Sequence, residues 1–269
     1  MTRRRPVGGG VPLLLVPPAA IGAAFLLLPT IALLIRTPWS GLRGLYADSD
    51  VSAALTLSLQ TATAATAASL VFGVPLAWML ARLHFRGLGL VRAAITMPLV
   101  LPPVVGGVAL FLALGRFGVV GRYLDQWFGF TLPFTKYGVV VAETFVAMPF
   151  LVITAEGAFR AADRGLEEAA ATLGASRLIV FWRITLPGIG PSLVAGTVLF
   201  WARALGEFGA TITFNGSLPG HTEVMPTLIS RALENNLEQA EALSLVLIAI
   251  ALIILTVLRE QWLRPAVST

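Results

Sequence analysis

Glu168-Ala169-Ala170-Ala171-Thr172-Leu173-Gly174, followed by Ile184-Thr185-Leu186-Pro187, forms a polar island between long apolar runs. On a helix, Leu166, Ala169, Ala170 and Leu173 fall at i, i+3, i+4 and i+7, giving one small-residue apolar face with Glu167 and Glu168 beside it. Gly174 can take the left-handed conformation that ends a helix. Ser176 can cap a second helix carrying Leu178, Phe181 and Trp182, and Pro187 is expected to stop it. The spacing therefore predicts helix, turn, helix over about 160–190, with a face suited to docking in a shallow cleft. Periodicity alone fits an amphipathic loop lying on a membrane surface equally well.

The runs on either side set the fold class. The chain of 269 residues is 57% hydrophobic and only 12% charged, against about 25% charged in soluble domains. An all-α, polytopic membrane protein follows, with one transmembrane domain over 1–269. A spanning helix needs about 20 apolar residues, and six runs qualify, at about 11–35, 53–81, 93–114, 137–159, 191–214 and 240–258. The first outlasts a signal-peptide core of about 7–15 residues and is expected to be retained, bent or started late by Pro17, Pro18 and Pro29. The second carries Thr56, Ser58, Gln60, Thr61, Thr63 and Thr66, so one of its faces should meet other helices. The third holds Pro98, Pro102, Pro103, Gly106 and Gly107. Such breakers suit a helix lining a water-filled path or a kinked packing helix. Glu143 in the fourth run should face the bundle interior, whereas Glu156 is expected at the exposed interface. Arg203 and Glu207 in the fifth are spaced i, i+4 and can pair.

Charge and composition exclude several functions. The net charge of +5 is scattered between apolar runs and makes no nucleic-acid stripe. There is no Cys, and His84 and His221 stand far apart, so no metal site is expected. A phosphate-binding Walker loop needs Gly-Lys-Ser/Thr. The single Lys lies in Thr135-Lys136-Tyr137, so ATP, if it drives this chain, must be hydrolysed by another subunit. With six spans, one side collects twelve Arg (Arg3, Arg4, Arg5, Arg82, Arg86, Arg92, Arg160, Arg164, Arg177, Arg183, Arg259, Arg264). The other collects six basic residues (Arg36, Arg43, Arg116, Arg122, Lys136, Arg231). The positive-inside rule makes the first side cytoplasmic, placing both termini and the 160–190 loop there.

The island also resembles the EAA loop of ABC importer permeases: Glu-Ala-Ala, three residues, Gly, nine residues, Ile, one residue, Leu-Pro. Glu168, Ala169, Ala170, Gly174, Ile184, Leu186 and Pro187 match every fixed position. The resemblance implies a type I permease fold. In it Glu167, Glu168, Ala169, Ala170, Leu173, Gly174, Ile184, Leu186 and Pro187 form the ATPase-coupling loop. It implies a homodimer in the lipid bilayer, two ABC ATPase subunits binding ATP-Mg, an extracytoplasmic binding protein, and no cofactor on this chain. Transport would proceed by alternating access, without covalent catalysis.

A narrower resemblance covers Ala202-Arg203-Ala204-Leu205-Gly206-Glu207-Phe208-Gly209-Ala210-Thr211-Ile212-Thr213-Phe214, then Pro219-Gly220-His221-Thr222 and Met225-Pro226. With Pro98-Leu99-Val100-Leu101-Pro102-Pro103, it is similar to permeases of the molybdate/tungstate group and, less closely, of sulfate. It implies a tetrahedral oxyanion as cargo, with Thr96, Pro98, Pro102, Pro103, Arg203, Glu207, Thr211, Thr213 and Asn215 along the pathway. Such an anion needs hydrogen-bond donors and modest positive potential without tight trapping. Sulfate or thiosulfate transport, a proton-coupled carrier using Glu143 or Glu207, and a docking scaffold without flux remain the alternatives.

Overall fold

The computed structural model describes residues 13–39, 44 and 48–262. Of the residues used above, 11 and 12 of the first run, Arg3, Arg4, Arg5, Arg43 and Arg264 lie outside the described residues. Among those described, regular structure is entirely helical.

Helix α1 (Val16–Arg36) follows a 3-10 turn at Leu13–Leu15. Pro17 and Pro18 occupy its first turn, where a missing N–H costs nothing. It has no buried residue and meets the body through the last helix, where Arg36 lies 3.5 Å from Glu241. Helix α2 (Ser49–Arg82) starts at Asp48, whose carboxylate accepts the Asp50 N–H at 2.9 Å. Its 34 residues reach about 51 Å, well past a hydrocarbon core of about 30 Å.

The third run is not one helix. Helix α3 (Leu88–Thr96) passes into a 3-10 turn at Met97–Leu99, and α4 (Pro103–Leu114) then leaves at 112°. Proline disfavours the α conformation in the residue before it. Pro102 before Pro103 is accordingly extended, with ψ 131°, and the helix cannot continue. Helix α5 (Gly121–Phe128) occupies the connection, and α6 (Lys136–Ala161) is continuous through Pro149.

Helix α7 (Arg164–Thr172) and α8 (Arg177–Gly188) build the 160–190 loop. Pro187 does not stop α8. Residues Phe181–Thr185 wind as a wider π turn, with the Leu186 N–H reaching the Phe181 carbonyl, and the helix runs on to Gly188. A π bulge relieves the clash between a proline ring and the preceding turn. The chain then bends 72° into α9 (Gly190–Leu205). The fifth run is also broken, because Gly206–Phe208 separates α9 from α10 (Gly209–Asn215). Helices α11 (Met225–Asn235) and α12 (Leu237–Trp262) complete the chain.

Helices α2, α6 and α9 form the centre. Ala62, Ala65, Ser69, Gly73 and Ala77 lie buried on one side of α2, the small-residue stripe that lets membrane helices approach closely. Ala147, Leu151, Phe200 and Ala204 complete that core. The polar half of α2 is shared out by face. Ser58 accepts the Met225 N–H at 2.7 Å, and Thr61 donates to Glu143 at 2.9 Å.

Candidate functional site

The loop is built for display. Asp163 caps α7 by accepting the Gly165 N–H at 2.8 Å. At the other end Gly174 has φ 87°, the Gly174 N–H donates to Ala171 O, and the Ala175 N–H donates to Ala170 O. This paired closure is the left-handed cap that glycine permits. Ser176 caps α8 through the Ile179 N–H. Leu166 is 60% and Leu173 89% exposed, Ala169 and Glu168 are exposed, and Ala170 is half-buried. Ile184 and Leu186 are half-buried and Pro187 is exposed. The apolar face of α7 is therefore uncovered.

Glu167 turns the other way. One carboxylate oxygen takes both the Arg82 guanidinium, at the end of α2, and the Thr185 hydroxyl of α8 at 2.9 Å. One side chain thus clasps α7, α8 and α2 together. Sequence reasoning named Glu167 but missed Arg82 and Thr185; the position of Arg82 in the last turn of a span was the available signal.

A second clamp corrects the reading of Glu156. It is buried rather than exposed, and binds Arg92 of α3 at 2.7 Å and Arg160 of its own helix at 2.8 Å. The basic residues flanking a span end supply the neutralisation that lets this carboxylate leave water.

The pathway residues divide into two groups. Half-helices α4 and α10 pack at backbone distance. A Cβ on Gly209 would lie 2.7 Å from Pro103 Cβ, and one on Gly107 would lie 2.6 Å from Thr213 Cβ and 2.9 Å from Ala210 O. Pro103 and Thr213 are thereby brought to one contact, while Asn215 lies against Gly138 of α6. Thr96 and Pro98 sit beyond the 112° bend, on the side packed toward α6, and Pro102 lies exposed at the bend itself.

Glu207 sits in the gap between α9 and α10. It pairs with Arg203 at the end of α9 and accepts the Ala210 N–H of α10 at 2.9 Å, so one carboxylate pins both broken ends. The Arg203 side chain is 31% exposed and that of Glu207 1%. Thr96 and Thr213 donate to carbonyls of their own helices, at 3.0 and 2.8 Å. The Thr211 hydroxyl, the Asn215 amide and Glu143 Oε2 are buried without a partner among the described residues. Among the described residues no group of His, Cys, Asp and Glu is arranged to hold a metal.

Broken apolar helices packed by glycine, with a clasped helical loop, make this a polytopic helical membrane protein. The chain belongs to the binding-protein-dependent transport system inner membrane component family, whose pattern its residues 73–269 match. It is 45% identical over 237 residues to the molybdenum transport system permease protein ModB of Mycobacterium tuberculosis, covering 88% of this chain and 89% of that one. A sulfate transport system permease protein of Synechocystis is 33% identical over 243 residues, covering 88% and 85%. The fold is shared with a bacterial ABC transporter involved in import of the acidic polysaccharide alginate, with TM-score 0.71, 21% identity and 92% of each chain covered.

Proposed function

We propose that this chain is the transmembrane permease subunit of an ATP-driven importer that carries a tetrahedral oxyanion, molybdate or tungstate, inward by alternating access. The observation that carries the reading is the Glu167 clasp. An amphipathic helix with its apolar face uncovered, α7, is fastened through one carboxylate to the ends of α2 and α8, so a partner gripping α7 moves the helices that line the bundle. Support for the cargo comes from the greater identity to the molybdenum permease than to the sulfate permease.

In this reading α7 and both termini are cytoplasmic, which the excess of Arg on that side supports. Glu168, Ala169, Ala170, Leu173 and Gly174 receive the ATPase, and Glu167, Ile184, Leu186 and Pro187 carry its movement to the bundle. Two copies of the chain form the path, two ATPase subunits bind ATP-Mg, and an external protein delivers the anion. Arg203 supplies positive potential moderated by Glu207, and half-buried Thr213 offers a hydrogen bond without trapping the anion, whereas Thr211 and Asn215 are fully buried in this conformation. Pro98, Pro102 and Pro103 keep the third run broken so that the path can open.

Proteoliposomes test the reading. The complete set of subunits should accumulate radiolabelled molybdate only with ATP, with sulfate a poor competitor. Accumulation against a gradient by this chain alone, driven by a proton gradient, would sink it in favour of a carrier built on Glu143 and Glu207.

A further inference from the structure

A cavity of about 640 Å³ opens where the start of α2, the start of α6 and the loop after α10 come together. It lies at the far end of the bundle from the Glu167 clasp. Ser52 and Arg82 stand about 45 Å apart along α2, and α6 runs from Lys136 at the cavity to Ala161 at the entry to α7. In the proposed orientation that end is extracytoplasmic. Polar side chains line the cavity: Ser52, Thr56 and Gln60 from α2, Thr135 and Lys136 where α6 begins, and His221 from the loop. None of the described residues lining it is acidic. Asp50 and Glu223, two positions from Ser52 and His221, both reach Arg231 instead, at 3.4 and 2.8 Å.

Two of these hydroxyls are already engaged. Ser52 donates to the Ser49 carbonyl at 3.0 Å, and Thr135 donates to the Leu132 carbonyl at 2.6 Å while accepting the Gly138 N–H. Thr56, Gln60, Lys136 and His221 make no side-chain hydrogen bond or ion pair among the described residues, and Lys136 rests only over the Tyr137 ring, 5.5 Å from its centre. Free donors are thus gathered around the chain's single ammonium. Ser52, Thr56 and Gln60 are spaced i, i+4, i+8 and are all exposed, so α2 turns a polar stripe outward. In lipid the Gln60 amide would go unpaired, so this face requires water or protein beside it. Thr63 continues the stripe and accepts Trp201 Nε1 of α9 at 3.2 Å, two positions from Arg203. The donors therefore lead from the cavity toward the cation beside the gap between α9 and α10.

We infer that this cavity is the receiving site for a partly hydrated tetrahedral oxyanion, entered before α4 and α10 part. The Lys136 ammonium sets the sign of the charge admitted, and Thr56, Gln60 and His221 offer donors around it. The volume equals about twenty waters at roughly 30 Å³ each, so the anion keeps much of its hydration. One cation with neutral donors captures without trapping. A carboxylate projecting from the delivery protein would use Lys136 alone and leave the stripe toward Arg203 without purpose, which favours the free anion. The inference deepens the proposed import and rests on it for the identity of the ligand.

The chain has no Cys, so one introduced thiol reports on the cavity alone. The complete transporter carrying Thr56→Cys, or Gln60→Cys should the first not assemble, is treated with methanethiosulfonates bearing a sulfonate or a trimethylammonium group. Labelling of this chain is read by mass spectrometry. Gln126→Cys, exposed on α5 outside the cavity, is the reference. The sulfonate reagent should be favoured at least fivefold relative to the ratio at Gln126→Cys. Millimolar molybdate should slow it at least threefold in the cavity and not at the reference, with chloride at equal ionic strength leaving the rate unchanged. Lys136→Gln should abolish the preference and the protection, and Lys136→Arg should restore both. Equal ratios at the two positions, or equal protection by chloride, would overturn the site. So would protection by the anion-free binding protein but not by molybdate, which would give the cavity to an acidic side chain of that protein. The readout needs no ATP. Protection by sulfate with failed molybdate uptake counts against the proposed cargo and keeps the site, whereas ATP-driven molybdate uptake without protection keeps the import and removes the site.

Discussion

Glu167 illustrates how much one atom can organise, because its Oε1 receives both the Arg82 guanidinium and the Thr185 hydroxyl. With side chains 14% and 22% exposed, breaking the Arg82–Glu167 pair should cost on the order of 3 kcal/mol. Glu167→Gln is therefore expected to lower the thermal midpoint and to leave ATP hydrolysis running with little uptake; tight coupling in that variant would remove the clasp from the mechanism. Gly174 carries a different constraint. Nothing lies within 4 Å of its missing Cβ, yet φ is +87°, so Gly174→Val should cost about 1–2 kcal/mol through the backbone alone and loosen coupling in the same assay. Gly107 is the reverse case, limited by space. Gly107→Ala should destabilise by about 1–3 kcal/mol through overpacking against Thr213 and Ala210. Gly157→Ala, with nothing within 4 Å, should be neutral or slightly stabilising. Thermal unfolding followed by size-exclusion fluorescence separates these outcomes.

Broken elements depend on their pins. Glu207→Ala removes both the Arg203 pair and the cap of α10, whereas Glu207→Gln keeps an acceptor for the Ala210 N–H and loses only the charge. The Ala variant should be the less stable by about 0.5–2 kcal/mol, the usual worth of such a cap. Both should slow uptake, because Arg203 is left unbalanced; normal uptake velocity in Glu207→Gln would show that the pair only packs helices. These elements also mark what the sequence could express. Gly174 and Ser176 act through neighbours a few residues away, so their caps were legible in the chain. The break near Pro102 was legible only as irregularity and the one at Gly206, within a run read as continuous over 191–214, not at all, since the contact between α4 and α10 that stabilises them joins residues roughly a hundred positions apart. Glu156 was misread for the same reason: its burial depends on Arg92, a partner brought in by tertiary packing. Pro187 was read as a stop because the π turn that accommodates it has no signature in local propensity.

At the scale of the molecule, α2, α6 and α9 share one packed core to which the clasp and the pinned half-helices attach. Arg92, Glu156 and Arg160 fasten α3 to α6 just before the chain enters the loop. Glu156→Gln should loosen that junction and lower the thermal midpoint more than a substitution at exposed Arg164; an equal effect would make the clamp incidental. The pairing of α4 with α10 also has a consequence during synthesis. At 12 and 7 residues, neither half-helix is long enough to settle in a bilayer alone, where a span needs about 20. Helix α4 shares a bent run with α3 but packs closely on α10, so it is expected to settle only when α10 emerges roughly a hundred residues later. Ribosomes stalled before residue 200 should present a nascent chain open to membrane proteases near Pro103, and ribosomes stalled after α10 has cleared the exit tunnel should present a protected one. Assembly of this permease is thus a closing step near the end of translation, when a late segment completes an early one.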